Sequence, residues 1–278
     1  MRTQLVSIPG DTTPLDGAFY EPDSGATAGA ALLFHGNTMN FYVGASRFLP
    51  PVLTGLGLAC LAFNRRGHDI LTTRNSRAAE GGAFQFTHEA IADNRRAADW
   101  LAARGFPDPV IIGHSNGGML GVQHVIDHPR TPALVLLSAG RGGARSGVAS
   151  GTERLFAADR LEELTARAHK LVEAGRGREL MFLPGWWWVI SAESFLDRIE
   201  TIPDTIALAP KIRCPVLCIR GDKEDVDRYP AEEFQRAAGG PCTVEIVANC
   251  DHFYNGRENT VAGIVSSWLA TTLKLRRS

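Results

Sequence analysis

The run VIIGHSNGGML, residues 110–120, constrains this chain more than any other stretch. An apolar run ends on Gly113, a serine follows two residues later, and Gly117 and Gly118 come next. A strand, the pentapeptide Gly113-His114-Ser115-Asn116-Gly117 and a helix, in that order, form a nucleophile elbow of pattern G-x-S-x-G. The turn is so tight that a Cβ at either flanking glycine would crowd the backbone. Ser115 is expected in strained dihedrals, with its hydroxyl clear of the sheet edge. The helix N-terminus beside it offers free N–H groups and partial positive charge to any negative charge that develops there. The bland alternative, a phosphate-cradling turn, calls for Gly-Lys-Ser or Gly-Lys-Thr, and the chain has neither.

The rest of the chain supplies the sheet that such an elbow needs. TQLVSIP and LDGAFYEP flank a Gly-Asp turn and read as an opening hairpin. GAALLFHG, LACLAFN, PVIIGHS, PALVLLSAG and CPVLCIRG read as strands buried on both faces, and CTVEIVANC as a last strand. Between them lie helical patterns near 44–57, over HEAIADNRRAADWLAARG, after the elbow, near 231–238 and near 260–275. Strands alternating with helices predict an α/β fold with a mostly parallel sheet covered on both faces. Residues 141–210 break the alternation. They are rich in Ala, Arg, Glu and Leu and contain PGWWWVISAESFL, so they read as a helical cap inserted after the sixth strand. The core is then 1–140 plus 211–278. The alternative is that 141–210 only extends the helical layer. The polar loop TRNSRAAEGGAFQF is of a length often tied to function.

A serine hydroxyl needs a base. Of eight histidines, His252 follows the last strand and precedes the final helix, at the sheet edge where Ser115 sits. His114 lies inside the elbow and is not expected to reach its own serine, and the remaining histidines read as structural or surface groups. The base needs an acid to hold its tautomer. GDKEDVDRYP offers Asp222, Glu224, Asp225 and Asp227. Spacing from the strand-ending glycine favours Glu224, with Asp225 a live rival and Asp222 a weaker one.

Composition excludes several other classes. Net charge is −1 with no basic stripe, so nucleic acid is not an expected partner. No apolar run approaches the roughly 18 residues that span a bilayer, and the first residues lack a signal-like apolar stretch. Five cysteines in no zinc-like spacing read as small buried hydrophobes in a reducing, cytoplasmic setting. No metal ligand set is apparent. The Trp cluster and the terminal helix would each suit a homodimer contact, though neither demands one.

The elbow, the LFHGN strand end, the CIRGDKED loop and the late DHF together resemble the α/β-hydrolase superfamily over essentially the whole chain, with 141–210 as its variable cap. The segment WWWVISAESFLDRI is more loosely similar to bacterial relatives of siderophore-esterase-like hydrolases. The superfamily resemblance implies the α/β-hydrolase fold, no cofactor, and an oxyanion hole made by the backbone amides of Asn37 and Asn116. HGN is also found in haloalkane dehalogenases, but those use an aspartate where this chain has Ser115. The expected activity is hydrolysis of a carboxylic ester or lactone of a small to mid-sized apolar molecule through an acyl-enzyme. An amide, thioester or C–C bond is the alternative for the same triad, and a ligand-binding sensor the alternative of another class. Trp187, Phe41 and Phe253 are the expected apolar wall.

Overall fold

The computed structural model describes all residues except 26, 74–77, 144–155, 158, 186–187 and 276–278. The chain opens with an antiparallel pair, Arg2–Ile8 (β1) and Leu15–Glu21 (β2), registered Arg2 to Glu21. Apolar runs without alternation then become strands buried at every position: Ala30–Phe34 (β3), Ala59–Phe63 (β4), Val110–His114 (β5) and Leu134–Leu137 (β6). A short pair follows, Leu180–Leu183 (β7) and Trp188–Ser191 (β8), then the buried Val216–Gly221 (β9) and the partly exposed Cys242–Val247 (β10). The main sheet has eight strands in the order β1-β2-β4-β3-β5-β6-β9-β10. All neighbours from β4 to β10 are parallel, and β2 meets β4 antiparallel.

Helices cover both faces. Ala45–Phe48 (α1) and Pro50–Gly55 (α2) stand where one helix over 44–57 was expected. Pro50 and Pro51 explain the break: proline cannot continue a helix but suits the first turn of a new one. Thr87–Ala102 (α3), Asn116–Asp127 (α4), Leu161–Glu173 (α5), Ala192–Thr201 (α6), Thr205–Leu208 (α7), Ala231–Ala237 (α8) and Glu258–Thr272 (α9) follow. The pleat of β3 divides its side chains between two cores. Ala31 and Leu33 pack with Leu49, Leu53, Val261 and Leu269 of α2 and α9 and their flanks, whereas Leu32 and Phe34 pack with Leu101, Val122 and Phe234 of α3, α4 and α8.

The segment between β6 and β9 holds α5, β7, β8, α6 and α7. The antiparallel β7–β8 pair, with Leu183 opposite Trp188, is an addition to the helices expected there. Leu164, Met181, Trp188, Ile190 and Phe195 form a separate apolar cluster. The segment is tied to the core by Ile202, which packs with Ala90, Met119 and Leu120, and by polar groups. Asp197 accepts from the backbone N–H (2.7 Å) and hydroxyl (2.8 Å) of Thr87, and Ser191 N–H donates to the Ala83 carbonyl (2.8 Å).

Candidate active site

Ser115 sits between β5 and α4 with φ 54° and ψ −117°. Non-glycine residues rarely adopt positive φ, and such strain survives only where the surroundings impose it. The imposing atoms are backbone. A Cβ at Gly113 would lie 2.3 Å from the Gly117 carbonyl oxygen, and one at Gly117 would lie 2.1 Å from that of Phe34. Ser115 N–H is anchored to the Leu137 carbonyl at 2.8 Å, so β6 fixes the bend. The hydroxyl meets His252 Nε2 at 3.1 Å.

His252 lies in the loop between β10 and α9, and its Nδ1 meets Glu224 Oε1 at 2.6 Å. Glu224 follows β9 and is buried. Its other oxygen, Oε2, accepts from the Ser138 hydroxyl and from Gly221 N–H, both at 2.7 Å. Ser138 in turn contacts Tyr254 OH at 2.6 Å, and Tyr254 OH donates to the Ile219 carbonyl at 3.2 Å. The rival carboxylates are engaged elsewhere. Asp225 Oδ1 caps the N–H groups of Asp227 and Arg228, and Asp222 accepts from Cys250 N–H. His114 is buried and donates from Nε2 to the His252 carbonyl at 2.9 Å. Burial, with some help from His252, pushes the His114 imidazole down to about 3, so it supports the loop as a neutral group.

Asn116 opens α4, where first-turn N–H groups have no partner within the helix. Asn37 follows the end of β3, and its Oδ1 accepts from Arg198 Nη1 at 3.0 Å. The Asn37 loop is braced from below. Arg65 N–H donates to His35 Nε2 (3.2 Å), so Nδ1 carries the ring hydrogen and donates to the Gly36 carbonyl (2.8 Å). Arg65 Nη2 donates to the His35 carbonyl at 2.6 Å. Burial pulls the Arg65 guanidinium down to about 9, and burial together with Arg65 holds His35 well below its ordinary range.

The alpha/beta hydrolase family model matches residues 31–263. The chain belongs to the alpha/beta hydrolase family. The match takes in every residue of the hydrogen-bonded chain above. No match was found among curated proteins. Solved structures with this fold include Est1E from Butyrivibrio proteoclasticus with bound ferulic acid, at 17% identity and TM-score 0.72, covering 97% of this chain and 99% of that one. A soluble variant of monoglyceride lipase from Saccharomyces cerevisiae aligns at 14% identity and TM-score 0.68, covering 97% and 95%. The monoacylglycerol lipase of Paleococcus ferrophilus aligns at 18% and 0.65, covering 93% and 99%.

In this α/β hydrolase the structure brings Ser115, His252 and Glu224 into one hydrogen-bonded line. Phe253 is exposed, with its ring edge-on to His252 at 5.1 Å. Phe41 is half-buried against the core, its ring 6.2 Å from Tyr42. Trp187 lies outside the described residues, and Trp188 is buried in the apolar cluster of the segment between β6 and β9. Tyr229 was not anticipated: its ring lies 4.6 Å from that of His252. Nor were Ser138 and Arg198. Positive φ at Ser138 is a backbone property that the letters LLSAG do not announce.

Proposed function

We propose that this protein is a serine hydrolase that cleaves a carboxylic ester or lactone through an acyl-enzyme. The observation that carries the reading is the relay from Ser115 Oγ to His252 Nε2 at 3.1 Å and from His252 Nδ1 to Glu224 at 2.6 Å, at a strained elbow. Both distances lie within reach of proton transfer.

In this mechanism Ser115 Oγ attacks the carbonyl carbon as His252 Nε2 takes the hydroxyl proton. Glu224 orients the ring and stabilises the imidazolium that forms. The backbone amides of Asn37 and Asn116 receive the oxyanion, and one such donor is worth roughly 3–4 kcal/mol of barrier. Collapse expels the alcohol, which takes the proton from His252. Water, with its proton drawn off by the same nitrogen, then attacks the acyl carbon and frees Ser115. The segment 141–210 acts as a cap, and Phe253 supplies apolar wall beside His252. An ester substrate is supported by solved proteins of the same fold: an esterase domain of a Rhodothermus marinus protein and the two lipases above.

A fluorophosphonate probe should label the wild type and not Ser115→Ala. On p-nitrophenyl butyrate, His252→Ala should lose on the order of 10⁴-fold or more in kcat. Equal labelling of the wild type and Ser115→Ala would sink the reading.

A further inference from the structure

Arg65, two residues past β4, is a buried cation with unmet donors. It is 1% exposed, and its Nη2 donates to the His35 carbonyl at 2.6 Å. Its Nε and Nη1 are buried and have no hydrogen-bond partner among the described residues. Asp93 attracts it through space, but the Asp93 oxygens accept hydrogen bonds from Arg66 N–H (2.9 Å) and Arg66 Nη2 (2.7 Å). Burial pulls the Arg65 guanidinium down to about 9, which still leaves it charged at neutral pH. An interior charge with unmet donors lowers stability, and an apolar side chain of similar volume often does better. A group held on such terms points to a use for its charge.

Its place in the fold says what that use is. Arg65 N–H donates to His35 Nε2 at 3.2 Å, which leaves the ring hydrogen on Nδ1, and Nδ1 donates to the Gly36 carbonyl at 2.8 Å. Met39 N–H reaches the same carbonyl at 3.3 Å. That carbonyl belongs to the peptide group whose other end is Asn37 N–H. The acceptors of Asn37 are engaged: its backbone carbonyl accepts from Thr38 Oγ1 at 2.7 Å, and its Oδ1 accepts from Arg198. Its N–H has no partner among the described residues. A peptide gripped at its carbonyl and free at its N–H is a donor held ready. Arg65 N–H, the His35 ring and the Gly36–Asn37 peptide stand head to tail, all donating in one direction, and each bond in such a chain polarises the next. The guanidinium stands at the tail of the chain, bonded to the His35 carbonyl and 3.3 Å from His35 Nδ1.

We propose that Arg65 and His35 are positioning residues for the Asn37 amide, and that the buried Arg65 charge stabilises the oxyanion which that amide receives. Neither side chain touches the substrate. His35 fixes and polarises the Gly36–Asn37 peptide. Arg65 holds the His35 tautomer through its backbone N–H and acts on the oxyanion through space, in an interior where a fixed charge is felt more strongly than in water. The oxyanion exists only after Ser115 has attacked, so the charge acts on the chemical step and not on substrate binding. The inference rests on the serine-hydrolase reading.

Two probes test it: p-nitrophenyl butyrate for turnover, and 1,1,1-trifluorohexan-2-one for the oxyanion. Ser115 Oγ adds to the ketone carbon, its proton passes to His252, and the ketone oxygen becomes the anion. Arg65→Met keeps the bulk and the backbone N–H and removes the charge alone. It should lower kcat and kcat/KM equally, by about tenfold, which is less than the loss of a whole donor costs. It should weaken the ketone by the same factor and leave KM within about twofold. Arg65→Lys should recover most of both losses. The urea midpoint of Arg65→Met should be unchanged or higher, the opposite of what removal of a structural brace does. His35→Asn, whose amide reaches the Gly36 carbonyl from the Nδ1 position, should lose less than His35→Leu, and this pair carries the comparison if Arg65→Met does not fold. Wild-type kcat and ketone affinity in Arg65→Met overturn the proposal, as do equal losses in the two His35 variants. So does a lowered urea midpoint in Arg65→Met with unchanged ketone affinity. A wild type that neither binds the ketone nor hydrolyses the ester defeats the hydrolase reading, and this inference with it.

Discussion

Glu224 is held from three parts of the chain: by Gly221 N–H at the end of β9, by Ser138 after β6, and by His252 after β10. Each donor suits a negative oxygen, so a neutral amide in that place would lose the orienting charge and present an N–H group where an acceptor is needed. Glu224→Gln is expected to lower kcat on p-nitrophenyl butyrate on the order of 10³–10⁴-fold with little change in KM, as removal of an orienting carboxylate does in other triads. Asp225→Asn should stay within about threefold, since its carboxylate caps loop N–H groups and an amide oxygen does the same. Steady-state kinetics on both variants separates the two acids, and the reverse order of losses would transfer the role to Asp225. The sequence narrowed this choice without closing it. Four carboxylates lie within six consecutive positions, 222–227, and any of them is a plausible loop residue. Which one turns inward depends on Ser138 and Tyr254, which join the cluster only in three dimensions.

At the level of elements, the elbow was legible because its constraint is local. Strand, turn and helix are contiguous, and the glycines are required by backbone atoms a few ångströms away. Gly117→Ala should destabilise by roughly 3 kcal/mol or more, because the clashing oxygen belongs to the backbone of Phe34 and cannot move aside without disturbing β3. Gly263→Ala is the contrast: it lies inside α9 with nothing near the added methyl, and should stabilise by up to about 1 kcal/mol. Urea unfolding of the two variants tests both signs. The β7–β8 pair was not legible. LMFL and WVIS are four-residue stretches, too short for periodicity to tell strand from helix. Arg198 was equally silent, because an arginine on an amphipathic helix normally faces water.

Over the whole molecule, the order of buried strands and covering helices was readable from apolar runs bounded by glycine and proline, whereas the buried histidines acquire meaning only from the fold. His114 and His124 are both held near 3, mainly by burial, against an ordinary value of 6.5. Below about 6.5 the unfolded chain takes up protons that the folded one refuses. Their contribution is therefore complete above that pH and is lost progressively as pH falls toward 3, by about 2 kcal/mol each at pH 5. Denaturant titrations at pH 7.5 and pH 5 should show that loss, and His124→Gln should remove about half of what the pair contributes. A His124→Gln protein with an unaltered acid dependence would refute the assignment. The separate apolar cluster of the segment between β6 and β9 has a consequence for how damage spreads. Its interior shares no residue with the two cores on either face of the sheet. Substitutions confined to that interior are expected to alter the segment before they alter the sheet, because its ties to the rest run through Asp197, Arg198, Ser191, Arg178 and the packing of Ile202 on Met119 and Leu120.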